Sequence, residues 1–185
     1  MNDRDIIRGL AAKVREIADL PEMAERRKRW FAHNSLKPQR PLVLCFPEGA
    51  WPELCPESVC ECSDELFRDW ELRLRRRIYW WEHIRDDNAE DPVFPVGWIM
   101  KEGDYGVKIE RRHGENRGSY VWDPPVKDID KDLPGLTFRK PSVDKQASLE
   151  RLELAQEVLG ASLRPFLAGS VGESEASEDS RSCCI

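Results

Sequence analysis

The chain has 185 residues, of which 40% are hydrophobic and 35% charged, and a formal net charge of −6. That length suits one domain with its own core rather than two, and no apolar run approaches the ~18–20 residues that a membrane-crossing helix needs. The acidic excess opposes a general nucleic-acid binder, which displaces counterions with a basic surplus, so neither nucleic acid nor a membrane is expected as a partner.

The opening Met1-Asn2-Asp3-Arg4-Asp5 lacks the apolar core of an export signal, which points to the reducing cytoplasm and to six cysteines held mostly as thiols. Residues 3–19 place Ile6, Ile7, Leu10, Val14 and Ile17 at spacings of three and four, an amphipathic helix stopped by Pro21. A second helix is expected over 21–34, with a basic run, Arg26-Arg27-Lys28-Arg29, ahead of Trp30 and Phe31. Leu42-Val43-Leu44-Cys45-Phe46 lies between Pro41 and Pro47 without in-out alternation, so it reads as a strand covered on both faces that delivers Glu48 into a loop. Ser63 can cap a long third helix whose Leu66, Trp70, Leu74, Ile78 and Trp81 form one stripe.

After that helix, residues 91–100 read as a second strand region interrupted by Pro95, and 106–112 and 119–122 as short strands joined by the polar turn 113–118. Two strands flanking a helix make a βαβ pattern, hence an α/β fold with a parallel, helix-covered sheet. Asp144 or Ser142 starts a last helix with Leu149, Leu152, Ala155, Val158 and Leu159 on its apolar side, and Gly160 ends it. A third strand is due next, but residues 163–168 give way to a stretch over 169–185 whose serines and acids cannot bury enough apolar surface to fold. The chain is therefore expected to stop mid-fold.

Taken in order, Trp30 with His33 and Asn34, the segment Phe46-Pro47-Glu48-Gly49-Ala50-Trp51, Trp80-Trp81-Glu82-His83-Ile84-Arg85-Asp86-Asp87, and Trp122-Asp123-Pro124-Pro125-Val126-Lys127 resemble the amino-terminal part of uroporphyrinogen-decarboxylase-like proteins. The branch tied to corrinoid-dependent methyl transfer is the nearest in look, and the likeness spans about residues 22–166. It implies a partial (β/α)8 TIM barrel with amino-terminal helices, truncated after two or three strands: a helical segment over 1–35, a partial barrel over 36–168, and the tail 169–185. It further implies that full-length relatives decarboxylate tetrapyrroles or move methyl groups to or from corrinoids, acting on a small-molecule substrate or a corrinoid protein. Zinc and corrinoid belong to those relatives, with the zinc held by a His and cysteines late in the barrel. No cofactor is expected in this chain, which should be inactive alone. The alternative is a non-catalytic αβ binding or interaction protein that self-associates through an exposed sheet edge.

Candidate substrate-binding residues are Glu48 and Trp51 in the loop after the first expected strand, and His83, Arg85 and Asp86 beyond the long helix. A carboxylate after a barrel strand is placed to react or bind, and equally to cap a turn. A His beside carboxylates can orient a substrate or carry a proton, and Arg85 with Asp86 and Asp87 is equally a solvated helix end. Cys55, Cys60 and Cys62 lack the spacing of a zinc pair and read as structural thiols. Ser182-Cys183-Cys184-Ile185 has Ser where a prenylation box needs Cys.

Overall fold

The computed structural model describes residues 2–101, 103, 105–107, 110–113 and 120–169. It is mixed α/β and divides into two compact units, residues 1–97 with 149–185, and residues 98–148. Of the expected tail over 169–185, residues 170–185 lie outside the described residues, as do residues 114–118 of the expected turn 113–118.

In the larger unit, α1 (Asp3–Ala18) starts at Asn2, whose side chain accepts from Arg4 N–H, and carries Asp3 and Asp5 where the helix dipole favours acids. Its stripe buries Ile6, Ile7, Leu10, Val14 and Ile17, as the spacing requires. α2 (Pro21–Asn34) buries only Met23 and turns its arginines toward backbone and carboxylates. A short helical turn, α3 (Trp51–Leu54), precedes α4 (Glu65–His83). The cap of α4 is Asp64, which accepts from Phe67 N–H at 3.0 Å, and not Ser63. Ser63 instead binds the Asp3 carboxylate through both its N–H and its hydroxyl, which ties the start of α4 to the start of α1. Trp70 and Leu74 of the α4 stripe are fully buried and Leu66 and Ile78 pack beside them, whereas Trp81 is half-buried under the Arg26 guanidinium.

The strand expected over 42–46 does not form. Val43 and Phe46 are 61% and 64% exposed, and the backbone donors of the segment go to side chains: Val43 N–H to Asp87 Oδ2 at 2.9 Å and Cys45 N–H to Asp86 Oδ2 at 3.0 Å. The two prolines leave a piece too short for a central ladder, and two carboxylates satisfy it as an extended strap.

The βαβ unit lies elsewhere. β1 (Val93–Gly97) pairs in parallel with β6 (Arg164–Ala168), the strand due after the last helix, and α6 (Lys145–Leu159) lies in their connection. Phe94 and Val96 of β1 join α1, Trp70, Leu74, Ala155, Val158, Leu159 and Leu163 in one core. Helix α1 and the residues after 36 thus share that core, to which α2 contributes nothing. α6 begins at Asp144, which accepts from Ala147 N–H. Leu149, expected on its apolar side, is 46% exposed. Gly160 ends the helix because a Cβ there would stand 2.3 Å from Gln156 O.

The smaller unit holds β2 (Met100–Lys101) antiparallel to β5 (Ser142–Val143), and β3 (Glu110–His113) antiparallel to β4 (Tyr120–Asp123), the two short strands expected over 106–112 and 119–122. α5 (Ile129–Asp132) is a single turn capped by Asp128. Buried Ser148 accepts from Ile99 N–H and donates to Asp144 O, so its hydroxyl is fully used.

Candidate functional site

α4 runs back along β1, with Arg73 Nη2 on Pro95 O and Arg77 Nη1 on Val93 O. Its carboxyl end, and the corner 84–88 that follows, therefore sit toward the amino end of β1. Four of the five sequence candidates, Trp51, His83, Arg85 and Asp86, lie on this end of α4 or the corner after it.

Asp86 is fully engaged. One carboxylate oxygen accepts from Cys45 N–H and Trp80 Nε1–H, and the other from Asn88 N–H, each at 3.0 Å. Asp87, 8% exposed, takes Arg40 in a two-pronged pair, Val43 N–H, and Arg29 at 3.4 Å. The hydrogen bond from Arg40, together with the Val43 N–H and the arginine charges, outweighs burial and holds its carboxyl down at about 2. Asp87 N–H returns a bond to Val43 O, and Trp30 Nε1–H donates to Asp87 O. These groups form a clamp on the strap. Their saturation suits holding backbone rather than moving protons.

Trp51 is half-buried, with its ring 6.1 Å from Tyr79 and 6.0 Å from Trp80, and Phe46 meets Trp80 edge-on at 5.6 Å. Arg76 lies over the Trp51 ring at 5.5 Å. His83 stacks on Tyr79 at 4.1 Å, and its Nδ1 reaches Tyr79 O at 3.2 Å, which assigns the ring proton of the neutral form to Nδ1. Arg85 is exposed on a shallow groove lined also by Arg26, Arg29, Arg40 and Asp87.

Glu48 is exposed at φ +43°, in the left-handed region, where it begins a 3-10 turn. A side chain there costs about 1–2 kcal/mol. Glu48→Gly should therefore be neutral or stabilising by about 1 kcal/mol in urea unfolding, after the added unfolded-state entropy of glycine is counted. A loss above that amount would mean that the carboxylate holds the turn.

Beside the strap opens a cleft of about 900 Å³, walled by Trp30, Phe31, Leu44, Pro92 and Leu163. Its arginines are engaged, Arg15 with Asp19 and Arg27 with Asp91. Two buried carboxylates that the sequence reading passed over complete the picture. Glu71 is wholly buried and accepts from Glu61 and Cys62 N–H and from Arg75 Nε. Burial pushes its carboxyl up, but those hydrogen bonds outweigh it and the net shift is downward. Glu90 pairs with Arg77, and burial nevertheless raises it. Burial raises the thiols of Cys55 and Cys60 as well, and burial with Glu71 pushes Cys62 up to about 12, which suits inert thiols.

Among the described residues no group of three or more His, Cys, Asp or Glu is placed to hold a metal ion, and no helix is long and apolar enough to cross a membrane. Comparison with known proteins finds no family model, no curated protein and no solved structure that matches the chain.

Proposed function

We propose that these residues make the front of a uroporphyrinogen-decarboxylase-like barrel. The observation that carries the reading is the parallel pairing of β1 with β6 in direct adjacency, with α6 in the connection; this is the repeating unit of a (β/α)8 barrel. The ordered resemblance of Phe46–Trp51, Trp80–Asp87 and Trp122–Lys127 supports the same lineage. On this reading the working face lies at the carboxyl ends of the strands, where Gly97 stands beside Ala168. The clamp at Asp86 and Asp87 then belongs to the opposite end, where barrels keep stabilising residues. The reaction is tetrapyrrole decarboxylation or methyl transfer to or from a corrinoid, with any zinc held by residues beyond these. Alone the segment is inactive, because two parallel strands cannot enclose a substrate.

Fragment complementation tests the proposal. Co-expression with the later strands of a uroporphyrinogen-decarboxylase-like barrel should give a one-to-one complex that decarboxylates uroporphyrinogen or demethylates methylcobalamin, with neither piece active alone. Failure to form a complex with either branch of the family would sink it.

The second reading, an interaction protein, is favoured by one observation: β1 and β6 pair only with each other among the described residues, so their outer edges decide what else the sheet can bind.

A further inference from the structure

The cleft of about 900 Å³ beside the strap lies at the amino ends of β1 and β6, where Val93 and Pro165 line it. It stands at the opposite end of the strands from the face that the barrel reading gives to catalysis. Its volume is near the upper end of the roughly 300–1,000 Å³ that small-molecule sites enclose. Trp30 is a preformed wall, held by its Nε1–H on Asp87 O at 2.8 Å and by the His33 ring edge-on at 5.7 Å. Phe31 and Leu44 also line the cleft and are 58% and 36% exposed. α2 buries only Met23, so Phe31 does not serve to hold the helix on the core. Its ring and Leu44 leave apolar surface facing an open cavity.

The charge on this cleft runs against the rest of the chain. Its lining carries Arg15, Arg27 and Arg164 against one acid, Asp91, although the chain has a net charge of −6. Arg15 spends only Nε, on Asp19 at 2.6 Å. Arg27 spends only Nη1, on Asp91 Oδ1 at 2.8 Å and Glu90 O at 3.0 Å. Among the described residues, Nη1 and Nη2 of Arg15 and Nε and Nη2 of Arg27 have no partner, so each guanidinium keeps one whole two-donor edge. Such an edge matches a carboxylate, which accepts two parallel N–H bonds. The Arg27–Asp91 pair is half-exposed and worth little by itself, whereas the Glu90 carbonyl fixes where the guanidinium stands.

We propose that this cleft binds a free apolar monocarboxylate, whose hydrocarbon body lies against Trp30, Phe31 and Leu44 and whose carboxylate takes the Nε and Nη2 edge of Arg27. Arg15 and Arg164 add positive charge around the bound group. One oriented edge beside Asp91 suits a single planar charge better than the dianion of a phosphate. A neutral apolar ligand would fill the cavity and leave that edge unused. The proposal stands apart from the barrel reading, since the cleft is built from α1, α2, the strap, α6 and the starts of β1 and β6 and needs no further strand.

The full chain is titrated with octanoate, decanoate and 1-decanol by isothermal titration calorimetry, each below its aggregation limit. One-to-one binding is expected, with decanoate about fifteenfold tighter than octanoate, from roughly fourfold for each buried methylene. Decanoate should also bind at least about tenfold more tightly than 1-decanol, the worth of hydrogen bonds to a charged group. Arg27→Gln should bring decanoate down to the level of 1-decanol and leave 1-decanol unchanged, a pattern that a damaged fold would not give. Ala161→Trp, which fills the cleft from an exposed position in the turn after α6, should abolish binding of all three. Phe31→Ala serves if the tryptophan variant does not fold, and should weaken all three about fivefold. Absence of decanoate binding, equal affinity for decanoate and 1-decanol, or decanoate binding that survives unchanged in Arg27→Gln or in the cleft variant overturns the proposal.

Discussion

Glu71→Ala should cost about 3–5 kcal/mol, the range for breaking a buried charge pair by deleting one partner. Glu71 is fully buried within α4 and, among the described residues, is the acceptor for Glu61 N–H and Cys62 N–H, while also receiving Arg75 Nε at 2.7 Å. Alanine leaves two backbone donors and a guanidinium without that acceptor, and the segment 60–62, whose Cys62 lines the core, loses its attachment to the helix. Glu71→Gln keeps one acceptor oxygen and brings an amide N–H₂ toward two N–H groups, so it should fall between, at about 1–2 kcal/mol. A second readout separates this attachment from general loss of packing. The Cys62 thiol is pushed to about 12 by burial first and by Glu71 second, so Glu71→Gln should bring it down and speed its alkylation at pH 8 under native conditions. Urea unfolding that places Glu71→Ala within 1 kcal/mol of the parent would show that water replaces the carboxylate.

What the sequence made legible was local. The stripes of α1 and α4 follow from spacings of three and four, and the β3–β4 pair follows from two short strands on either side of a polar turn. The segment 42–46 misled because an apolar run between prolines fits a buried strand, and only the position of Asp86 and Asp87, more than forty residues away, makes it an exposed strap. A third strand is due after α6, but 163–168 carry no alternation to mark it, and its partner β1 lies some seventy residues earlier. The carboxylates Glu71, Asp87 and Glu90 share the same opacity. A Glu or Asp in a charged helix reads as solvated until its arginine is placed in space, so burial of charge is a property of pairs that sequence spacing does not reveal. Of the site candidates, His83, Arg85 and Asp86 follow α4 directly and Trp51 packs on its last turns, whereas the carboxylate that anchors the strap through Arg40 and Val43 N–H is Asp87.

Asp87 governs the acid limb of stability. Its carboxyl is held at about 2 in the folded chain, mainly by the hydrogen bond from Arg40, against an ordinary value near 3.9 in the unfolded chain. A depressed folded value stabilises above the unfolded pKa and is lost as pH falls through the folded one, so the contribution is complete above about pH 5 and disappears between about pH 4 and 2. The difference corresponds to about 2–3 kcal/mol. Asp87→Asn should remove about that much at pH 7 and flatten the decline in stability between pH 4 and 2, bringing variant and parent together at the acid end. Because Asp87 binds Val43 N–H and Arg40 together, the substitution should also free the strap at neutral pH. Phe46 then leaves Trp80 and Cys45 N–H leaves Asp86, so tryptophan fluorescence changes before global unfolding and the exposed Cys45 becomes no less reactive. Arg40→Ala tests the assignment from the other side. Val43 N–H and Arg29 remain on the Asp87 carboxylate in that variant, so it should reproduce most of the flattened acid limb with a smaller loss at pH 7. An acid limb identical in the parent and both variants would place the strap's anchorage in Asp86 and Trp80 instead, where the carboxylate is bound by neutral donors.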